Sequence, residues 1–276
     1  MLQVRDLHFG HGQREADVLR GVSLLAREGE ITTVLGPNGC GKTTLFKCIG
    51  GIWKPRKGAV MLAGKEMLSQ SHAERARLLA AVPQEHEAAF PYTVFDVVLM
   101  GRASRVGALS TPSRQDLSRT DEALSEAGIQ NLKDKAYTRL SGGEKQLVLI
   151  ARALAQDASV MLLDEPVSHL DFRHQLLILR KIRRLACEKR LVVLMTLHDP
   201  NLAMLYSDRV VLMNQGAVVS EGKPQAVITE EALMQVYGIE VRVISWNGFR
   251  IVYPGDAEQE PAVKHRECPF NEEAYK

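Results

Sequence analysis

Residues Gly36, Pro37, Asn38, Gly39, Cys40, Gly41, Lys42, Thr43 and Thr44 have the types and spacing of a phosphate-holding loop. They fit the pattern G-x-x-x-x-G-K-[ST], and their flanks are the ones that pattern needs. A β-branched run, Ile31 to Leu35, leads in, and the helix-like stretch from Thr44 to Ile49 leads out. The glycines let backbone N–H groups turn inward, and the following helix adds unpaired amides and the positive end of its dipole. Lys42 would then reach the β- and γ-phosphates of a nucleotide, and the Thr43 hydroxyl would hold Mg²⁺. Cys40 sits among those amides beside Lys42, a setting that lowers a thiol pKa, whereas apolar burial would raise it; both readings stay open.

A second cluster follows the apolar run Val160 to Leu163, where Asp164 and Glu165 emerge. Open α/β sheets place their ligands at the C-terminal ends of such strands. There Asp164 would hold Mg²⁺ through water and Glu165 would polarise an attacking water. The plainer alternative is a polar strand exit at Asp-Glu-Pro. A third segment reads Leu140, Ser141, Gly142, Gly143, Glu144, Lys145, Gln146. Ser141 and Glu144 make a capping box in any protein, but two glycines in a first helical turn are poor helix formers. Their presence makes sense if the backbone must approach a phosphate closely.

Taken together and in this order, the three segments resemble the signature of the ATP-binding-cassette ATPases. The resemblance covers about residues 1–240. It implies an α/β fold of the P-loop NTPase type: a mostly parallel sheet core, an antiparallel N-terminal β-subdomain, and a helical subdomain inserted at about 85–155. By the same resemblance, Gln84 is a Mg²⁺ and water contact at the hinge to that insertion. His198 contacts the γ-phosphate, Asp171 faces a second subunit, and Ser141, Gly142, Gly143 and Gln146 approach the nucleotide of that second subunit. Lys42, Gln84, Glu165 and His198 form the catalytic set, and Thr43, Gln84 and Asp164 the metal set. The adenine-stacking aromatic of the family aligns with His11, with Phe9 two residues earlier, so this chain departs from the usual tyrosine.

The family also implies ATP and Mg²⁺ as ligands and a homodimer of ATPase subunits sandwiching two nucleotides. Separate integral-membrane permease subunits and, indirectly, an extracytoplasmic substrate-binding protein would complete a transporter. The single-cassette layout and the segment from Tyr92 to Arg102 resemble ATPases of importers for iron–siderophore complexes, haem and cobalamin. The open alternatives are a soluble cassette ATPase in a non-transport role, an exporter ATPase, and a small-molecule kinase. Phe90, Tyr92 and Phe95 cluster after Gln84 in a chain that is only 5% aromatic. They read either as core under the insertion or as anchors for a permease helix.

Elements must place these residues. Alternation from Leu2 to Leu7 and from Val18 to Leu25 reads as strands, and Val210–Met213 with Ala217–Val219 as a hairpin. Ser71, Thr93, Ser113 and Ser141 open helices, and Asp171 to Cys187 forms one with Phe172, Leu176, Leu179 and Ile182 on a buried side. Val241–Ser245 and Phe249–Tyr253 read as a strand pair in a C-terminal extension, 241–276, that is partly disordered beyond Pro254. Lys and Arg total 35 against 33 Asp and Glu, a formal charge of +2, which points to no nucleic-acid partner. The four cysteines show no zinc spacing, and no stretch matches a signal peptide or membrane span. The expected location is the cytoplasmic face of a membrane, reached through a permease.

Overall fold

The structure is a computed structural model that describes residues 1–12, 16–84, 90–106, 110–246 and 249–255. Alternation builds the first sheet. In β1 (Leu2–Phe9) the side chains of Leu2, Val4, Leu7 and Phe9 are buried, and β2 (Leu19–Ala26) pairs antiparallel with it. All five residues of β3 (Ile31–Leu35) are buried, as a strand covered on both faces requires. The chain continues through α1 (Lys42–Ile49), β4 (Lys57–Leu62) and β5 (Lys65–Glu66), giving an antiparallel sheet of order β2-β1-β4-β5.

A charged helix, α2 (His72–Leu78), leads directly into β6 (Leu79–Val82). Next come α3 (Val94–Leu99), α4 (Arg114–Ala127) and α5 (Gly142–Ala155), each opened by a Thr or Ser capping box. The α/β rhythm then resumes with β7 (Val160–Leu163), α6 (Phe172–Lys189), β8 (Val192–Thr196), α7 (Pro200–Tyr206), β9 (Arg209–Asn214) and β10 (Ala217–Gly222). Two short helices, α8 (Pro224–Val227) and α9 (Glu230–Tyr237), precede the hairpin β11 (Val241–Trp246) and β12 (Phe249–Pro254).

The central sheet has the order β10-β9-β3-β8-β7-β6, with β10 antiparallel to β9 and the other neighbours parallel. Its two faces bury separate cores. Val160 and Leu162 of β7 join the side carrying the antiparallel sheet and α1, while Met161 and Leu163 join the side carrying α6, α7 and α9. Each such Leu, fully buried, is worth about 2 kcal/mol relative to exposure. A third core lies in the insertion, where Val94, Val97 and Val98 of α3 meet Leu124 of α4 and Val148 and Ala151 of α5.

Two expectations fail. Phe172 was assigned to the buried side of α6, but it is 73% exposed; the buried stripe runs instead through Ile178, Leu179, Ile182, Leu185 and Ala186. The stretch from Gly101 to Pro112 reads as a linker, yet its first two residues are core. Arg102 is buried, its Nε donating to Asp116 Oδ1 at 3.0 Å and Nη1 to the Ala155 carbonyl at 2.7 Å. The disorder expected of residues 256–276 and the start of the insertion at 85–89 lie outside the described residues.

Candidate active site

Strand order does the gathering. The neighbours β3, β8, β7 and β6 run parallel, so their C-terminal ends share one edge of the sheet. From that edge emerge, in spatial order, the loop 36–41, His198, Asp164–Glu165 and Gln84. Four segments distant in sequence become neighbours at the place where parallel sheets bind ligands.

The loop between β3 and α1 is wrapped around an ammonium group. Lys42, 6% exposed, donates from Nζ to the carbonyls of Gly36 at 2.8 Å and Pro37 at 3.1 Å. An ammonium has three donors, so one remains for an incoming oxygen. Gly39 and Gly41 take φ of 78° and 107°, values that L side chains rarely adopt. A Cβ on Gly36 would collide with the Met213 carbonyl and stand 2.7 Å from Cys40 Sγ. Asn38, Gly39 and Thr43 are exposed, Pro37 is half-buried and Thr44 is buried. The Cys40 thiol is 4% exposed and free, and burial pushes its pKa up, outweighing the nearby Lys42 charge. Of the two readings of Cys40, burial favours the buried thiol with a raised pKa.

Beside the loop, Glu165 is held from three directions. Gln84 Nε2 donates to its Oε2 at 2.8 Å, and His198 Nε2 lies 2.5 Å from its Oε1. Its backbone N–H donates to Thr196 Oγ1 at 2.7 Å, and that hydroxyl donates to Asp164 Oδ1 at 2.8 Å. One buried hydroxyl at the last position of β8 thus ties the Asp164 carboxylate to the backbone of Glu165. Glu165 also has φ of 50°, an uncommon conformation for a residue with a Cβ, and one that clusters at functional sites. Thr196 was not singled out in the sequence; its only signal is a lone polar residue closing the apolar run from Leu191 to Met195.

At the other end of the loop, His11 is exposed and edge-on to two rings, Phe9 at 5.2 Å and Trp53 at 4.9 Å. Phe9 is buried with its face stacked on Trp53, centroids 5.2 Å apart and planes 3° from parallel. Lys47 Nζ lies 4.4 Å from the Trp53 centroid. Of the two candidate stacking residues, only His11 has an accessible surface; sequence reading did not find Trp53.

Ser141–Gly143 lie at the start of α5, where Ser141 and Gly142 are exposed. Gln146 does not join them. It is 9% exposed, and its Nε2 has no hydrogen-bond partner among the described residues. Asp171 is exposed and caps α6, accepting from the His174 backbone at 2.9 Å. That amide, and then the His174 ring, hold the Asp171 carboxyl below its ordinary range. A cavity of 480 Å³ opens near Gln84, lined by Phe46, Lys47, Ile52, Arg75, Pro83 and Asp164. Phe90, 63% exposed, and the exposed Tyr92 meet edge-on at 6.0 Å, while Phe95 packs into the insertion beneath Lys133.

Known proteins share this arrangement. Residues 19–168 match the ABC transporter family. The hemin import ATP-binding protein HmuV of Pseudomonas putida is 41% identical over 248 residues, 88% of this chain and 94% of that protein. A solved structure described as a metal-chelate-type ABC transporter in an inward-facing conformation is 30% identical, with a TM-score of 0.79, covering 91% of this chain and 95% of the other. A dimeric bacterial ABC transporter cassette is 27% identical, with a TM-score of 0.69, covering 81% and 99%. With its nucleotide loop, paired carboxylates and inserted helices in the family's order, the chain belongs to the ATP-binding subunits of the ATP-binding-cassette transporters.

Proposed function

We propose that this chain hydrolyses ATP to power uptake of a metal chelate, of the iron–siderophore, haem or cobalamin type, through separate permease subunits. The observation that carries the reading is the Glu165 carboxylate set between Gln84 and His198, beside a loop whose Lys42 keeps a donor free. Glu165 accepts a proton from the attacking water, with His198 and Gln84 fixing its orientation. Lys42 and the loop amides hold the β- and γ-phosphates, and His198 reaches the γ-phosphate. His11 covers the adenine.

Hard oxygen donors suit Mg²⁺. The exposed Thr43 hydroxyl, the Gln84 side-chain oxygen and the Thr196-anchored Asp164 provide them, and among the described residues no cluster of three His, Cys, Asp or Glu offers a rival metal site. Bound there, Mg²⁺ would neutralise charge on the phosphate oxygens.

The similarity to a dimeric cassette supports a homodimer in which exposed Ser141, Gly142 and Asp171 face the second subunit's nucleotide. Among the described residues no helix is long and apolar enough to cross a membrane, so the transport path belongs to the permease. The 480 Å³ cleft, lined by exposed Ile52 and by Pro83 next to Gln84, suits a short permease helix, and exposed Phe90 and Tyr92 offer further apolar anchors. That contact holds the chain at the cytoplasmic face of the membrane, with an extracytoplasmic binding protein feeding the permease from the other side. The substrate class rests on the similarity to a hemin importer subunit and to a metal-chelate-type transporter.

A strain lacking this chain tests the reading directly. Uptake of labelled haem, ferric siderophore and cobalamin is expected to fall for one of the three. The native chain should restore it and Glu165→Gln should not. Uptake of all three at the parental rate would reject the importer assignment, and intracellular accumulation of a compound would point to export instead.

A further inference from the structure

A Cβ at Gly143 would stand 2.8 Å from Cγ of His174 and collide with its Cδ2. That ring belongs to the first turn of α6, not to α5. One residue earlier, a Cβ at Gly142 would meet Leu170 Cδ2 at 3.3 Å. Both glycines that start α5 therefore face the segment 170–174. On its other side the His174 ring reaches Asp171, Nδ1 lying 2.7 Å from Oδ2.

We propose that His174 is a positioning residue that locks the start of α5, residues 141–143, to the Asp171 loop, so that both meet the second subunit's nucleotide as one rigid unit. This rests on the dimeric reading given above. Helix capping alone does not account for the arrangement, because the cap of Asp171 uses the backbone N–H of residue 174, which any residue but proline supplies. The ring adds two things a cap does not need: a second bond to the same carboxylate, and a flat surface that fills the space a Gly143 side chain would take. Glycine inside a helix costs about 1 kcal/mol relative to alanine, and close passage of this ring is a reason to keep it. His169, at φ of 63°, bends the loop between Glu165 and Asp171, so the unit is continuous in sequence with the carboxylate of the hydrolysis site.

The test uses the full chain carrying Glu165→Gln, in which bound ATP persists and drives dimerisation, followed by light scattering after size exclusion. Adding His174→Ala should raise the ATP concentration for half-dimerisation about tenfold, the scale of coupling between contacting residues. Melting temperature and the affinity of the monomer for a fluorescent ATP analogue should hold. His174→Asn, whose amide still reaches toward Asp171, should recover part of the loss. Dimerisation of His174→Ala at the unchanged ATP concentration overturns the proposal. So does a matched fall in melting temperature and monomer affinity in both variants, which would make His174 an ordinary structural residue. If Glu165→Gln with native His174 forms no ATP-dependent dimer, the dimeric reading itself fails, and the proposal falls with it.

Discussion

The edge of the parallel sheet and the helical insertion hold their polar groups by different means. At the sheet edge the holding groups are local or delivered by strand order. Lys42 is bound by the carbonyls of its own loop, and Thr196, at the end of the neighbouring strand, fixes Asp164 and Glu165. In the insertion the groups meet only after helices pack. Gly101 passes so close to α5 that a Cβ would collide with the Arg152 carbonyl, and buried Arg102 joins Asp116 to the end of α5. The first arrangement holds groups at the edge where the strands end. The second joins helices far apart in sequence into one packed unit.

Substituting the two crowded glycines should separate these roles most sharply. Gly36→Ala and Gly101→Ala each drive a Cβ into a backbone carbonyl and should cost at least about 3 kcal/mol. Only Gly36→Ala should also abolish ATP binding by the fraction that remains folded, as measured by equilibrium dialysis at low temperature. Equal ATP affinity in the two variants would erase the distinction.

Arg102→Met comes next. Removing one partner of a buried ion pair should lower stability by about 3 kcal/mol in urea melts while leaving kcat per folded molecule unchanged. The pH dependence follows from Asp116, whose carboxyl is held below its ordinary range by Ser113 first and Arg102 after it. A depressed carboxylate contributes stability that is complete above its unfolded value, about 4. That contribution disappears as pH falls through the native value. The native chain should therefore lose more stability between neutral pH and about pH 3 than Arg102→Met does. The smallest effect is expected for Thr196→Val, which takes a donor from the Asp164 carboxylate and an acceptor from the Glu165 backbone N–H: about 1–2 kcal/mol of stability and about tenfold in kcat.

The same contrast decides what the sequence discloses. Gly36 to Thr44 and Asp164–Glu165 were legible because each carries its meaning within ten residues, next to a strand with an unmistakable apolar run. Gln84, His198 and Asp171 were legible only through the order of motifs, since a lone Gln or His after a strand says little. What stayed hidden depends on contacts across long stretches of chain. Arg102 looked like a linker residue because nothing near it announces Asp116 or Ala155. Phe172 fits an apolar stripe by spacing, but the stripe of α6 packs against the core only from Leu176 and Ile178 onward. Gln146 joins Ser141–Gly143 by the family resemblance, and its burial depends on how α5 packs, which its neighbours in sequence do not announce. For Cys40 the sequence leaves charge and burial in balance, and only the packing against Gly36 shows that burial outweighs the charge.

The central claim is that Glu165, clasped by Gln84 and His198, is the group that activates water. Single-turnover hydrolysis of MgATP by purified Glu165→Gln, alongside the native chain, addresses it most directly. The amide keeps the shape and the contacts but cannot accept the proton, so hydrolysis should slow at least about a hundredfold. Affinity for ATP should stay within about twofold, because the phosphates are held by Lys42 and the loop amides instead. Near-native turnover would contradict the account, and so would loss of ATP binding, which would make Glu165 part of the cradle rather than the base.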